Sequence, residues 1–282
     1  MFLPNVMIPG DITCYTNFEE TVKNAELVLV VTPSNAIRKT LENLKPYTNE
    51  NQVFVLCSKG MESDTLMIFT DVIREVLPHV HIGALSGPSH AEEVSTFTPT
   101  AVVVSSDEED IMNELQDVFM SEYFRVYTNS DMIGVETGGS LKNIIALACG
   151  ISVGMGYGDN AIAALITRGL LEISRIGVSM GAKQETFYGL TGLGDLFVTC
   201  SSNHSRNRKC GILLGQGKSL EEAKKEVGMV VEGVNAVLGA YTIARKFNLY
   251  TPIIDEIHAI ITEGKDVQEA VKSLMTRNRK SE

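Results

Sequence analysis

The chain has 282 residues, 44% of them hydrophobic and 6% aromatic, with no tryptophan and a formal net charge of −11 at pH 7. Such a length predicts two domains with aliphatic cores, and the acidic balance argues against nonspecific nucleic-acid binding. No apolar run reaches the ~18 residues of a membrane span, and the N-terminus lacks a basic region followed by a signal-type apolar core, so no membrane insertion is expected.

The opening residues 1–10 read as a proline-punctuated loop, and residues 16–24 as a short helix. Residues 27–32 form a buried strand, followed by Ser34 as a cap and a helix with Ile37, Leu41 and Leu44 on one face. A second strand is expected at 53–57, a helix at 65–77, and further strands at 82–86, 101–105 and 124–127. Short apolar strands alternating with amphipathic helices predict an α/β fold with a largely parallel sheet covered on both faces. Ligands of such sheets bind beyond the C-terminal strand ends. Pro33-Ser34, Ser58-Lys59 and Gly87-Pro88-Ser89 fall there.

After about residue 131 the pattern is helical alone. Leu141, Ile144, Ile145 and Ala148 recur at helical spacing, and Lys142 is the sole charge between Glu136 and Asp159. Two readings follow for Lys142: it snorkels to the surface, or low dielectric pushes its pKa into a catalytic range. Ile162, Leu165, Ile166, Gly169, Leu170, Ile173 and Ile176 mark a helix broad enough to be a domain centre. The glycine-rich stretches 154–158 and 189–194 lack a preceding strand and read as backbone turns. Ser205-Arg206-Asn207-Arg208 precedes Ile212, Leu213 and Leu214, so a helix starting near Asn207 is expected. There the polar cluster is either a solvated cap or a grip for a small phosphate at the positive end of the helix. Ser219 with Glu222, Thr251-Pro252, and Asp266 with Glu269 mark three more helix starts.

Cys14, Cys57, Cys149, Cys200 and Cys210 are odd in number and show no paired spacing, which predicts reduced thiols in the cytoplasm, with Cys57 and Cys149 in the core. His79, His81, His90, His204 and His258 make no metal-ligand spacing, so no metal is expected. The basic tail from Arg277 to Lys280 is too short to alter the acidic balance.

Six segments carry a resemblance: Cys57-Ser58-Lys59-Gly60, Ser86 to Ala91, Gly138 to Asn143, Thr167-Arg168-Gly169, Ser205 to Arg208, and Val230 to Gly233. In this order and spacing the chain resembles the bacterial-type NAD(P)-dependent sn-glycerol-3-phosphate dehydrogenases, from Phe2-Leu3-Pro4 nearly to the C-terminus. The resemblance implies interconversion of sn-glycerol 3-phosphate and dihydroxyacetone phosphate with NAD or NADP, for glycerophospholipid synthesis. It casts Lys142 as general acid/base. Lys59, Gly87, Ser89 and Asp195, with Ser205, Arg206 and Asn207 at the phosphate, join it in the substrate site. Lys59, Ala91, Arg206, Val230 and Glu232 match cofactor-contacting positions, although Glu232 also suits a helix cap and Val230 a core. Asp195 can pair with Lys142 and oppose the fall in its pKa, so the sign of the net shift stays open.

A dinucleotide-binding domain opens with a strand, a G-x-G-x-x-G turn and a helix, and nothing before Glu26 has that character. The expected architecture is therefore an N-terminally incomplete Rossmann-type sheet over residues 1–130 and a helical substrate domain over 131–282. An exposed sheet edge, poor cofactor binding and little turnover are expected with it. Two alternatives stay open: a related 3-hydroxyacid-type dehydrogenase, against which the SRNR cluster argues, and a non-catalytic, ligand-binding fragment. A homodimer is admitted, with the oligomeric state left open.

Overall fold

The computed structural model describes residues 6–279 and 281. The Phe2-Leu3-Pro4 segment and Lys280 of the basic tail lie outside the described residues. Five strands form one sheet in the order β1 (Leu27–Val30), β2 (Val53–Leu56), β3 (His81–Ser86), β4 (Thr100–Ser105) and β5 (Phe124–Thr128). The first three are parallel, β4 runs antiparallel to β3, and β5 is parallel to β4. Strand β2 is apolar at every position because both of its faces are covered. On one side, Phe54 and Leu56 pack with Ile37 and Leu41 of α2 (Ile37–Leu44) and with Val72 and Ile73 of α3 (Phe69–Val76). On the other, Val53 and Val55 meet Val102, Val104, Val126 and Leu115. The connections before β1 and after β3 hold two short helices, α1 (Phe18–Val22) and α4 (Ala91–Val94), and α5 (Glu109–Phe119) precedes β5. At the β1 edge Leu29 and Val31 are exposed.

The helix predicted at 65–77 begins only at Phe69. Residues 61–68 instead fold back, with Met61 bridging Ile68 and Leu66 at φ 61°. Side chains pin this turn: the Glu62 carboxylate takes Nε of Arg38 at 2.7 Å and the Thr65 hydroxyl at 2.6 Å. Thr65 thus spends its polar group inside a loop, where sequence periodicity continues the helix.

The helical half is built on α6 (Met132–Gly154), nearly every one of whose 23 residues is buried. The sequence points to α7 (Asp159–Ser179) as the centre, but Ile162 and Leu165 are only half-buried and α7 lies against α6. Small residues decide the matter, because they let neighbours approach α6 on every side. Gly150 and Gly154 face Gly211 and Gly215 of α9 (Arg206–Gly215), and a Cβ at Gly150 or Gly154 would collide with the carbonyl oxygens of Arg208 or Ile212. Around this pair lie α8 (Asp195–Ser201), α10 (Leu220–Val227), α11 (Glu232–Lys246), α12 (Pro252–Glu263) and α13 (Val267–Met275). The expected caps form at Ser219 and Asp266, and Pro252 opens α12.

The stretch 189–194, expected to be a turn, contains a π-helical segment, Leu190–Gly194, that runs straight into α8. Gly192 lets it press on the backbone of Phe187, where a Cβ has no room. Cys149 is buried as expected, whereas Cys57 is only half-buried, at the open end of β2.

Candidate active site

Lys142 lies on α6, whose preceding Gly138 and Gly139 bring the helix against two other elements. A Cβ at Gly138 would stand 2.7 Å from the Thr191 carbonyl oxygen of the π-segment, and one at Gly139 2.9 Å from Oγ of Ser86 at the end of β3. The Ser140 hydroxyl completes the junction, accepting from the Gly60 N–H at 3.0 Å and donating to the Gly60 carbonyl at 2.7 Å. This packing leaves Lys142 6% exposed, so it does not snorkel.

The Lys142 ammonium donates to Oδ1 of Asp195 and to Oγ1 of Thr199 at 2.7 Å. Thr199, one helical turn beyond Asp195 on α8, donates in turn to the Asp195 carbonyl at 2.6 Å. From the sheet side, Lys59 donates to Oδ2 of Asp195 at 2.6 Å and to the Gly87 carbonyl at 2.9 Å. Gly87 adopts φ 132°, a backbone state that disfavours any side chain, and its carbonyl also receives the Ser89 hydroxyl at 3.1 Å. A single carboxylate, 1% exposed, is thus shared by two ammonium groups arriving from opposite halves of the molecule.

The electrostatics follow from burial first and charge second. Desolvation pushes the Lys142 pKa down to about 7, Asp195 works against that, and Lys59 reinforces it. For Asp195, burial favours the neutral acid, but the two lysines outweigh it and hold the carboxyl below its ordinary range.

The SRNR segment is the start of α9. Ser205 is the N-cap, its hydroxyl accepting from the Arg208 N–H at 3.2 Å. Asn207 is buried and faces inward: its Nδ2 donates to Oδ1 of Asn143 at 2.8 Å, and its Oδ1 accepts from the Gly233 N–H at 2.8 Å. Arg206 is exposed and forms no ion pair among the described residues. Because Asn143 follows Lys142 and Asn207 follows Arg206, the amide pair sets the start of α9 beside the lysine cluster. On the third side, Glu232 accepts from the Ser34 hydroxyl at 2.8 Å, joining α11 to the end of β1. Val230 is exposed just before α11, and Ala91 is exposed at the first position of the short helix after β3.

The geometry therefore joins Lys59, Gly87, Lys142 and Asp195 by direct contact, and ties Asn207 to α6 through Asn143. Thr199 and Ser140 were not singled out in the sequence. The spacing of Asp195 and Thr199 was a signal for the first, since positions four apart share a helix face.

Family models described as the NAD-dependent glycerol-3-phosphate dehydrogenase N-terminus and C-terminus match residues 1–112 and 131–272. The chain is 53% identical over 282 residues to the glycerol-3-phosphate dehydrogenase [NAD(P)+] of Fusobacterium nucleatum, covering 99% of this chain and 84% of that protein. The Agathobacter rectalis protein of the same name is 49% identical over 280 residues, covering 99% of this chain and 83% of its own length. A crystal structure of glycerol-3-phosphate dehydrogenase from Coxiella burnetii superposes with a TM-score of 0.94 at 38% identity, covering 98% of this chain and 84% of that one. The chain belongs to the NAD-dependent glycerol-3-phosphate dehydrogenase family.

Proposed function

We propose that the protein interconverts sn-glycerol 3-phosphate and dihydroxyacetone phosphate, with Lys142 as the proton-transfer residue. The observation that carries this is the buried Lys142–Asp195–Lys59 cluster beside the start of α9. In reduction, the Lys142 ammonium gives its proton to the C2 oxygen as charge develops there, while Lys59 adds a second fixed positive charge. In oxidation the neutral amine takes the C2 hydroxyl proton, and a pKa pushed to about 7 makes that form available near neutrality. Lys59 and Asp195 orient the substrate hydroxyl groups, with Gly87 and Ser89 approaching through backbone and hydroxyl. Arg206 takes the phosphate by charge-assisted contact, helped by the positive end of α9 and by the remaining donor capacity of Ser205 and Asn207.

NAD or NADP fits the cleft in part. The apolar, exposed Val230 and the small Ala91 would suit a nicotinamide face, and the Ser34–Glu232 pair, Lys59 and Arg206 would supply polar contacts. A bound nicotinamide supplies hydride exchange at C2. No strand–G-x-G-x-x-G–helix unit occurs among the described residues, where β1 leads into Thr32-Pro33-Ser34. An NADH fluorescence titration measures cofactor binding by this polypeptide directly. Five free thiols accord with a cytoplasmic setting, and among the described residues no helix is long and apolar enough to cross a membrane.

The deciding experiment is Lys142→Met, assayed by NAD(P)H consumption with dihydroxyacetone phosphate. The variant should lose ~10²–10⁴-fold in kcat, the scale of a missing general acid. Wild-type reduction should decline as pH rises through about 7, and oxidation should rise over the same range. A variant with near-normal kcat would refute the role.

A further inference from the structure

His90 ends the turn after β3, next to Ser89 and before the short helix at Ala91. Its Nε2 is buried and has no hydrogen-bond partner among the described residues. Its ring centroid lies 5.9 Å from that of His204, the residue before the Ser205 cap of α9. His204 in turn places Nδ1 4.0 Å from Glu92. The charged groups that face His90 are Lys142 from α6, Asp195 from α8, and Glu92 and Glu93 from its own short helix. Burial first, and then the Lys142 charge, lower the imidazole pKa and favour its neutral form. A polar nitrogen shut away from water with nothing to bond is costly, and a ligand that supplies the partner relieves that cost.

We infer that His90 is a specificity residue whose Nε2 donates to an oxygen of the substrate phosphate, between the lysine cluster and the start of α9. The inference rests on the function proposed above and adds to it a contact from the sheet side of the cleft. Position favours the phosphate over a hydroxyl. The ring lies 5.9 Å from that of His204, which immediately precedes the start of α9, and a dianion is the ligand that would draw a proton onto an imidazole otherwise kept neutral.

Calorimetry of the whole protein with glycerol 3-phosphate and with glycerol, and NMR titration of the His90 ring, test this. His90→Phe should weaken glycerol 3-phosphate about tenfold, as expected for one lost hydrogen bond to a charged group, and leave glycerol unchanged. His90→Gln keeps a donor and should recover part of the loss, which also covers the case in which the Phe variant fails to fold. The His90 pKa should rise on adding glycerol 3-phosphate and stay put with glycerol, a response that a purely structural ring would not give. Wild-type affinity in both His90 variants, or a ring pKa that ignores glycerol 3-phosphate, overturns the assignment. If Arg206→Ala still weakens binding in that case, the proposed function stands; if the wild-type protein does not bind glycerol 3-phosphate at all, both fall.

Discussion

Four carboxylates are buried among the described residues. Asp131 caps its own helix, α6, and the other three divide by region. At the candidate active site, Asp195 sits between two ammonium groups and is held ionised. At two packing junctions, Glu136 and Glu172 form no ion pair and instead take the first N–H groups of a neighbouring helix. Glu136 accepts from Phe69 at 3.0 Å and Thr70 at 3.3 Å, closing α6 onto α3. Glu172 accepts from Ile253 and Ile254, both at 3.0 Å, closing α7 onto α12. Burial pushes both glutamic acids up to about 7. For Glu136 and Glu172, neutral donors meet the geometric demand of the carboxyl group without offsetting the loss of water, whereas the two lysines do so for Asp195. The contrast extends to helix starts. Those of α3 and α12 are filled by the protein's own carboxyl groups, whereas α9 is capped by the neutral Ser205 hydroxyl.

The harshest test of the contrast is Asp195→Ala, which strips the counter-charge from a buried lysine. A loss of ~3–5 kcal/mol in urea unfolding is expected, and a cost below ~1 kcal/mol would remove the distinction between the two regions. Next come Glu136→Gln and Glu172→Gln. A folded pKa of about 7 against a reference of 4.5 means the folded state holds the proton more tightly, so stability falls as pH rises between those values. Each Gln variant should match the wild type near the bottom of that window. Above pH 7 it should gain up to about 3 kcal/mol, with the slope due to that group gone. Asp195 has the opposite sign: its depressed pKa contributes stability above the ordinary carboxylate range, lost as pH drops through the folded value. Arg206→Ala should then weaken glycerol 3-phosphate by ~1.5–3 kcal/mol in calorimetry while sparing glycerol, and equal weakening of both would remove the phosphate role. The smallest effect belongs to Ser205→Ala, at about 0.5–2 kcal/mol of stability for a lost N-cap.

Much of this was legible in the sequence, because strands covered on both faces leave continuous apolar runs and cap residues announce helix starts. Leu27–Val30 and Val53–Leu56 fall inside their expected strands, and the α9 start differs from expectation by one residue. What sequence periodicity cannot carry is burial on all sides. A helix as small and apolar all round as α6 has no stripe to read, so the more amphipathic α7 looked central. The same limit applied to Lys142, whose surroundings are set by Asp195 and Thr199 of a helix far along the chain. The turn at 61–68 was hidden because its cause is the Arg38–Glu62 contact, made across the fold.

With the roles proposed for Lys142 and Arg206, the glycine contact between α6 and α9 makes the distance from proton donor to phosphate grip a built-in ruler. With Gly150 and Gly154 set against Gly211 and Gly215, the two helices cannot slide by fractions of a turn, since each backbone is notched into the other. A longer polyol phosphate would need a jump of about one turn, ~5.4 Å, rather than a gradual stretch. On the function proposed above, substrate length is thus selected by residues that touch no substrate. Adding one methyl group at Gly150 or Gly211 should change which chain length fits before it changes how strongly any phosphate is held.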